Sequence, residues 1–392
     1  MPKQLKSYDV VIIGAGLAGL QCAKILSLDG ADVLLVDRKH DLAKGIHTTG
    51  IFVRKTFEDF DFPPGTLGRA IRNVTLYSPK LKPLDLCSEK DEFRVGKMGV
   101  LYETILSDCI ANGVEFAAAT RYVSADIVND KALIKLEKGG IPFEVTAKVL
   151  VGGDGANSRV ARDLGLDENE EWIIGYEEVY RSRAGHQEPR LHCFLDGKLA
   201  PGYLAWIADD GEDVHVGVGG YAADFDPRKA LIEFRKKTAD LAGLGNSLPV
   251  ETRGGRIPVG GVLRRIANRH GLLIGDAAGA VSPLTAGGLD PCLRLSVFAA
   301  NVIGKRLKTG DAGVMLRYSG ELFRARFISR LWMRRLISIF KNQSLIEMGF
   351  RMLRTSLGKR FAKHVFFGRG SFPDIEPERS PADLSPSNDS VA

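Results

Sequence analysis

The 392-residue sequence has no run of about 18 apolar residues, which excludes an ordinary membrane-spanning helix. Its opening, MPKQLKSYDVVIIGAG, is read as carrying no secretory signal: the apolar stretch is short, holds an acid and runs straight into glycines. Cysteine is scarce. Cys22, Cys87, Cys109, Cys193 and Cys292 never form a C-x-x-C pair, which argues against a disulfide framework or zinc site and fits a reducing cytoplasm. No P-loop, no Ser-His-Asp arrangement and no metal-ligand spacing is visible, so no metal is expected. A general basic character is missing too. The net charge of +6 hides a segment, residues 322–370, with twelve Lys/Arg against the single acid Glu347, leaving the rest net acidic. Basicity confined to one segment speaks against a nucleic-acid partner.

What is present is strand-turn-helix grammar, used more than once. Length alone favours two packed domains. Residues 8–37 read YDVVIIGAGLAGLQCAKILSLDGADVLLVD. Val10–Ile13 and Val33–Val36 are β-branched, strand-like runs, and between them a helix places Cys22, Ala23 and Leu26 on one face. The turn Gly14, Ala15, Gly16, Leu17, Ala18, Gly19 is G-x-G-x-x-G, followed at the second strand's end by Asp37 and Arg38. Gly14 permits the tight turn, Gly16 lets a pyrophosphate approach the backbone, and Gly19 lets helix and strand pack closely. The helix N-terminus faces the phosphates, and Asp37 suits a ribose diol while disfavouring a 2′-phosphate.

The turn by itself does not separate NAD from FAD; the stretch LLIGDAAGAVSPLTAGGLDPCLRL, residues 272–295, does. Leu272-Leu273-Ile274 can add a strand to the same sheet and deliver Gly275 and Asp276 at its end. Asp276 then suits a ribityl hydroxyl. Pro283 through Gly287, Gly288 and Leu289 suit a glycine-rich helix start against the flavin ring, where a helix dipole favours the anionic reduced state. Two turns serve the two ends of one long cofactor, FAD.

A third element, VLVGGDGANSRVAR, adds Asp154, Ser158 and Arg162. G-x-G-x-x-G, D-G-x-x-S-x-x-R and G-D-A-A-G-x-x-x-P, in this order, resemble the p-hydroxybenzoate hydroxylase-like superfamily over roughly residues 8–310. The likeness within it is nearest to the geranylgeranyl reductase family. Gly279 stands where hydroxylases usually have His, and Pro201–Trp206 (PGYLAW) is similar to the reductases' P-x-x-Y-x-W, with Tyr203 and Trp206 three apart instead of two. The reductases' Cys-Gly-Gly has no cysteine counterpart in Gly45–Gly50, which reads GIHTTG. The resemblance implies an α/β fold: a Rossmann-like FAD-binding domain interleaved with an antiparallel β-sheet substrate domain, plus C-terminal helices. We place the FAD domain at 5–70, 95–168 and 255–312, the substrate domain at 71–94 and 169–254, a basic helical segment at 313–370 and a disordered tail at 371–392. It also implies a phosphate-contacting cation before the helix near residue 98, with Arg94 and Lys97 both open.

Residues 70–94 and 172–257 read as strands, among them Val74–Tyr77, Trp172–Tyr180 and Val214–Val218. His215, in that last alternation, reads as a strand-face residue. His47, Tyr203 and Trp206 are the candidate catalytic side chains: a loop imidazole able to give a proton and two rings able to wall a substrate cavity. Trp332, Leu336, Ile339 and Phe340 share a helical face bordered by arginines, which suits an anionic membrane surface or packing on the FAD domain. The expected activity is FAD-dependent reduction of alkene bonds in an apolar, prenyl-like lipid; the alternative is flavin monooxygenation. No second nucleotide motif is visible, so NAD(P)H or another reductant would act transiently. The expected setting is the cytoplasm or the inner face of its membrane.

Overall fold

A computed structural model describes residues 5–182, 188–242, 244, 247–325, 331–332 and 342–368. The first glycine turn sits where its sequence puts it. Strands β1 (Lys6–Ile13) and β2 (Val33–Val36) pair in parallel, Val10 beside Val33. The helix Leu17–Leu28 crosses between them and buries Cys22, Ala23 and Leu26. The chain then runs through β3 (Ile51–Val53), β4 (Leu67–Ile71), the hairpin β5 (Asn73–Tyr77) and β6 (Pro83–Cys87), and β7 (Phe93–Gly96). β3, β7 and β4 form a small antiparallel sheet of their own, an element that three- to five-residue runs did not announce.

After the helix Met98–Ala111 come β8 (Glu115–Ala117), β9 (Thr120–Val128), β10 (Lys131–Lys138) and β11 (Ile141–Gly152). β8, β2, β1 and β11 lie side by side in parallel, and β10 and β9 extend the sheet antiparallel. The second sheet draws on β12 (Trp172–Arg181), β13 (Arg190–Phe194), β14 (Ala205–Asp209), β15 (Asp213–Gly220) and β16 (Glu251–Pro258). Its order is β16-β12-β15-β14-β13-β5-β6, antiparallel except where β13 meets β5. Finally β17 (Gly271–Leu273) returns to the first sheet beside β11. The expected α/β fold, with a Rossmann-like sheet interleaved with an antiparallel one and helices at the C-terminal end, is what the chain adopts.

The helix expected after the Gly287-Gly288 pair begins at Leu289. Ser282 and Gly287 first close a turn through their backbones (3.0 Å), with Ala286 at φ 49°, so Pro283 to Gly288 stay outside the helix.

That helix, Leu289–Thr309, is anchored by charge. Arg294 is fully buried and donates to Asp59 (2.6 Å) and Asp290 (2.9 Å), with Phe60 under its guanidinium at 5.6 Å. Thr56 donates to the same Asp290 oxygen at 3.0 Å. The network ties the short helix Arg54–Asp59 to the start of the long one, whose Asp290 faces the main cavity.

At the far end, helices Gln343–Leu353 and Ser356–Phe367 cover β6 and β7, burying Phe350 and Ala362 against Leu86 and Phe93. Asp196 accepts from Gln343 at 2.9 Å and from Lys237 at 2.6 Å, and Glu347 accepts from the Lys80 backbone at 2.7 Å. Leu336, Ile339 and Phe340 of the proposed membrane face, and the tail 371–392, lie outside the described residues; Trp332 is exposed.

Arg294→Met removes one partner of a buried charge network and strands two carboxylates. The expected loss is about 3–5 kcal/mol in urea unfolding, and pairing it with Asp59→Leu should return part of that loss.

Candidate functional site

The carboxyl edge of the first sheet faces the inner face of the second, and a cavity of about 1210 Å³ lies between them. It has a polar end on the glycine turns and an apolar arm beneath the C-terminal helices.

At the polar end three backbone turns crowd together. A Cβ on Gly14, whose φ is 103°, would stand 2.2 Å from the Gly153 carbonyl oxygen, so only glycine fits. Gly16 is the opposite case: a Cβ there meets nothing within 4 Å, and the open space belongs to the cavity. Gly19 lies under the turn, against the Gly14 carbonyl, and does not line the cavity. Asp37 accepts from the Ala15 and Lys39 backbone at 2.7 and 2.8 Å, bracing the turn while its remaining lone pairs face the cavity beside Arg38.

Gly275, Asp276, Gly287 and Gly288 line the same space with Leu17 and Ala18. Pro283 is not among the lining residues; its ring turns toward Gly261. Burial pushes the Asp276 carboxyl up to about 6. Its backbone carbonyl accepts from Asn169 at 2.9 Å, so this loop is held while the acid faces the cavity. Asp154 also lines the cavity, yet its carboxylate caps a helix, accepting from Ser158 (2.6 Å) and the Arg159 backbone (2.7 Å). D-G-x-x-S-x-x-R is in this structure a helix-start device. Arg94 and Lys97 do not line the cavity. Arg94 pairs with Asp91 and Lys97 with Glu212, at 3.1 and 2.7 Å.

The second sheet's wall is built from glycines and rings. In β15, DVHVGVGG, a Cβ on Gly217 would fall 2.2 Å from the Trp206 ring, and one on Gly219 would fall 2.7 Å from Tyr203. The strand gives up its side chains so that two large rings lie on it, edge to face at 6.4 Å. Tyr203 donates to the Thr285 carbonyl (2.7 Å), joining this wall to the Gly287-Gly288 turn. Trp206 donates to Glu177 at 2.9 Å. His47 reaches the cavity from its loop, with Nδ1 3.0 Å from the Gly254 carbonyl.

Glu177 was not picked out from sequence. It is buried on β12, and Thr49, Trp206 and His215 all converge on its carboxylate. Burial opposes its ionisation, but the electrostatic attraction and hydrogen bond of His215, the hydrogen bond of Thr49 and the charge on Arg253 hold the carboxyl below its ordinary value. Arg253 also donates to the Thr48 carbonyl (2.9 Å) and pairs with Glu251 (2.7 Å). His215 is therefore more than a strand-face residue: Nδ1 lies 3.0 Å from Glu177. The available signal was a histidine at an inward position of a glycine-rich alternating strand. Tyr102, which also lines the cavity with its hydroxyl pushed up by burial, carried no such signal.

The apolar arm is walled by Leu76, Phe93, Leu191 and Leu204 on one side and by Leu353 and Phe366 of the C-terminal helices on the other. No group of metal-ligating side chains occurs among the described residues.

Residues 8–190 match the pyridine nucleotide-disulphide oxidoreductase family. A digeranylgeranylglycerophospholipid reductase of Methanothermobacter thermautotrophicus is 30% identical over 335 residues, spanning 80% of either chain. One from Methanosphaera stadtmanae is 28% identical over 320 residues, 77% of this chain and 79% of its own. The fold matches a geranylgeranyl bacteriochlorophyll reductase-like protein of Thermoplasma acidophilum with a TM-score of 0.80 at 19% identity, covering 93% and 98% of the two chains. With a relative of 30% identity across four-fifths of its length, the chain belongs to the digeranylgeranylglycerophospholipid reductase family of FAD-dependent oxidoreductases.

Proposed function

We propose that this enzyme reduces carbon–carbon double bonds of an isoprenoid lipid held in the apolar arm, and that Gly14, Gly16, Leu17, Ala18, Asp37, Arg38, Gly275, Asp276, Gly287 and Gly288 hold the FAD. The continuity of the polar cradle with the apolar arm in one cavity carries this reading. The cradle fits the cofactor on two counts. The space at Gly16 is what a pyrophosphate needs in front of a helix N-terminus. Asp276, recessed with a raised carboxyl, gains an ordinary acceptor role when a ligand hydroxyl donates to it. Gly19 supports the turn, and Asp154 supports it from the neighbouring helix start.

When bound and reduced by NAD(P)H or another donor, FAD would supply a hydride, two electrons with one hydrogen, to one alkene carbon, and a proton would complete the saturation at the other. The chain's own part is to seat the double bond and exclude water. Tyr203 and Trp206 act as walls, since the hydroxyl and the indole N–H are both spent on protein acceptors. His47 is the loop group placed to move a proton at the cavity edge. Relatives spanning four-fifths of the chain are named as reductases, which favours this over monooxygenation.

The same reading includes contact with the inner face of a membrane. Leu345, Met348, Met352, Leu357 and Phe361 are exposed on the two C-terminal helices, amid exposed Arg351, Arg354, Lys359, Arg360 and Lys363. Apolar side chains among cations suit an anionic bilayer, and Phe361 also borders the cavity. No helix among the described residues is long and apolar enough to cross.

Three outcomes are expected. Anaerobically reduced holoenzyme mixed with digeranylgeranyl glycerophospholipid should become oxidised as the lipid gains two hydrogens per double bond; a hydroxylated product formed only with oxygen would overturn the assignment. Gly16→Val should leave the apoprotein's melting unchanged, because its backbone is extended (φ −75°, ψ −179°) and its Cβ meets no atom, yet weaken FAD binding about a hundredfold by titration. In the apoprotein, Asp276 keeps its proton up to about 6, while the unfolded chain loses it near the ordinary carboxyl value of 3.8. Stability in urea should therefore fall as pH rises through that window, and Asp276→Asn should flatten the slope.

A further inference from the structure

Two cavity-lining segments, the loop His47–Gly50 and the ring of Trp206 on β14, meet at one buried carboxylate that holds both. Glu177 Oε2 accepts from the Thr49 hydroxyl and, at 2.9 Å, from the Trp206 indole N–H. Its other oxygen faces His215 Nδ1 at 3.0 Å and Arg253 Nη1 at 3.8 Å. Arg253 reaches back to the loop through the Thr48 carbonyl at 2.9 Å, and His47 through the Gly254 carbonyl at 3.0 Å. Thr49, Trp206 and Glu177 all line the cavity. A buried charge cluster is poor evidence for stability, because desolvating the charges offsets their attraction. What this cluster does provide is a fixed distance between two walls contributed by segments more than 150 residues apart in sequence.

We propose that Glu177 is a positioning residue that fixes the Thr49 loop against the Trp206 ring, and thereby the surface on which the double bond is seated; this rests on the alkene-reductase reading. His215 and Arg253 face its other oxygen, which leaves Oε2 to accept two donors at once. A glutamine cannot do this in either orientation without losing an acceptor or turning an amide N–H toward an existing donor. The role differs from that of a catalytic residue: Glu177 acts on the substrate through the walls it holds.

The test uses the FAD-loaded enzyme in a Trp172→Phe, Trp332→Phe background, where Trp206 is the remaining tryptophan. Thr49→Val and Glu177→Gln are each made there, with melting and FAD content measured first. The expected result is that Thr49→Val, though its side chain bonds Glu177 and not the indole, changes the near-ultraviolet circular dichroism and emission of Trp206. Its kcat for a prenyl lipid should fall about tenfold or more with KM held within about twofold, as for a misplaced reacting group. The Thr49→Val, Glu177→Gln double variant should be no worse than Glu177→Gln alone, because the two act as a unit. An unchanged Trp206 signal in folded Thr49→Val, or additive losses in the double variant, overturns the proposal. Should Glu177→Gln fail to fold, a Thr49→Val, Trp206→Phe cycle decides it: non-additive losses in kcat support the linkage and additive ones refute it. If the wild-type enzyme reduces no prenyl lipid, the function assignment falls, while the Trp206 signal still decides whether Glu177 links the walls.

Discussion

The architecture hangs on how closely backbone can approach backbone at the carboxyl edge of the first sheet. Gly14 donates to the Val36 carbonyl at 2.8 Å, Gly153 to Ile13 at 2.7 Å and Ile274 to Gly152 at 2.9 Å. Each bond joins the end of one strand to the end of its neighbour. Strands β1, β2, β11 and β17, drawn from distant parts of the chain, thus finish together. A parallel sheet presents its ligand crevice outside the carboxyl ends of its strands, where neighbouring connections part to opposite faces. A methyl group on Gly14 would push β1 from β11 and dissolve the cradle before any ligand contact was lost.

The opposite wall solves a different problem. An antiparallel sheet ordinarily fills its inner face with its own side chains. Here β15 yields that volume to Tyr203 and Trp206, so the wall is made of flat rings on bare backbone. Rings set this way need polar anchors at their edges, and each has one, Thr285 for the phenol and Glu177 for the indole. One anchor lies on β12 of the second sheet and the other in the Ser282–Gly287 turn that follows β17 of the first, which makes the relation between that turn and the second sheet part of the cavity's shape.

Legibility in the sequence followed locality. The Gly14–Gly19 turn, Asp37 and the Leu272–Ile274 strand were readable because strand, turn and helix adjoin in the chain. The helix at Leu289 was readable from the glycine pair before it, whereas the Ser282–Gly287 turn, closed by one backbone bond, left no pattern of its own. Glu177 could not be read. It sits in a GYEEVY strand beside an identical neighbour, Glu178, and only pairing with β15 and β16 brings His215 and Arg253 to it. Arg294 was hidden in the same way, because its partner Asp59 comes from 235 positions earlier. Buried charge is specified by long-range pairing, which leaves no local periodicity to find.

The cradle and the arm are not partitioned; they are regions of a single cavity. Two ligands in one undivided space are coupled without any moving part. With FAD in the cradle and lipid in the arm as proposed, hydrocarbon in the arm would displace water from the walls at Glu177 and from around the cofactor, changing the field felt by both. By reciprocity, the factor by which a lipid alters affinity for one oxidation state of the cofactor is the factor by which that state alters affinity for the lipid. Substrate loading and electron loading are then two faces of one equilibrium, and the reduction potential of this enzyme becomes a reading of what its arm contains.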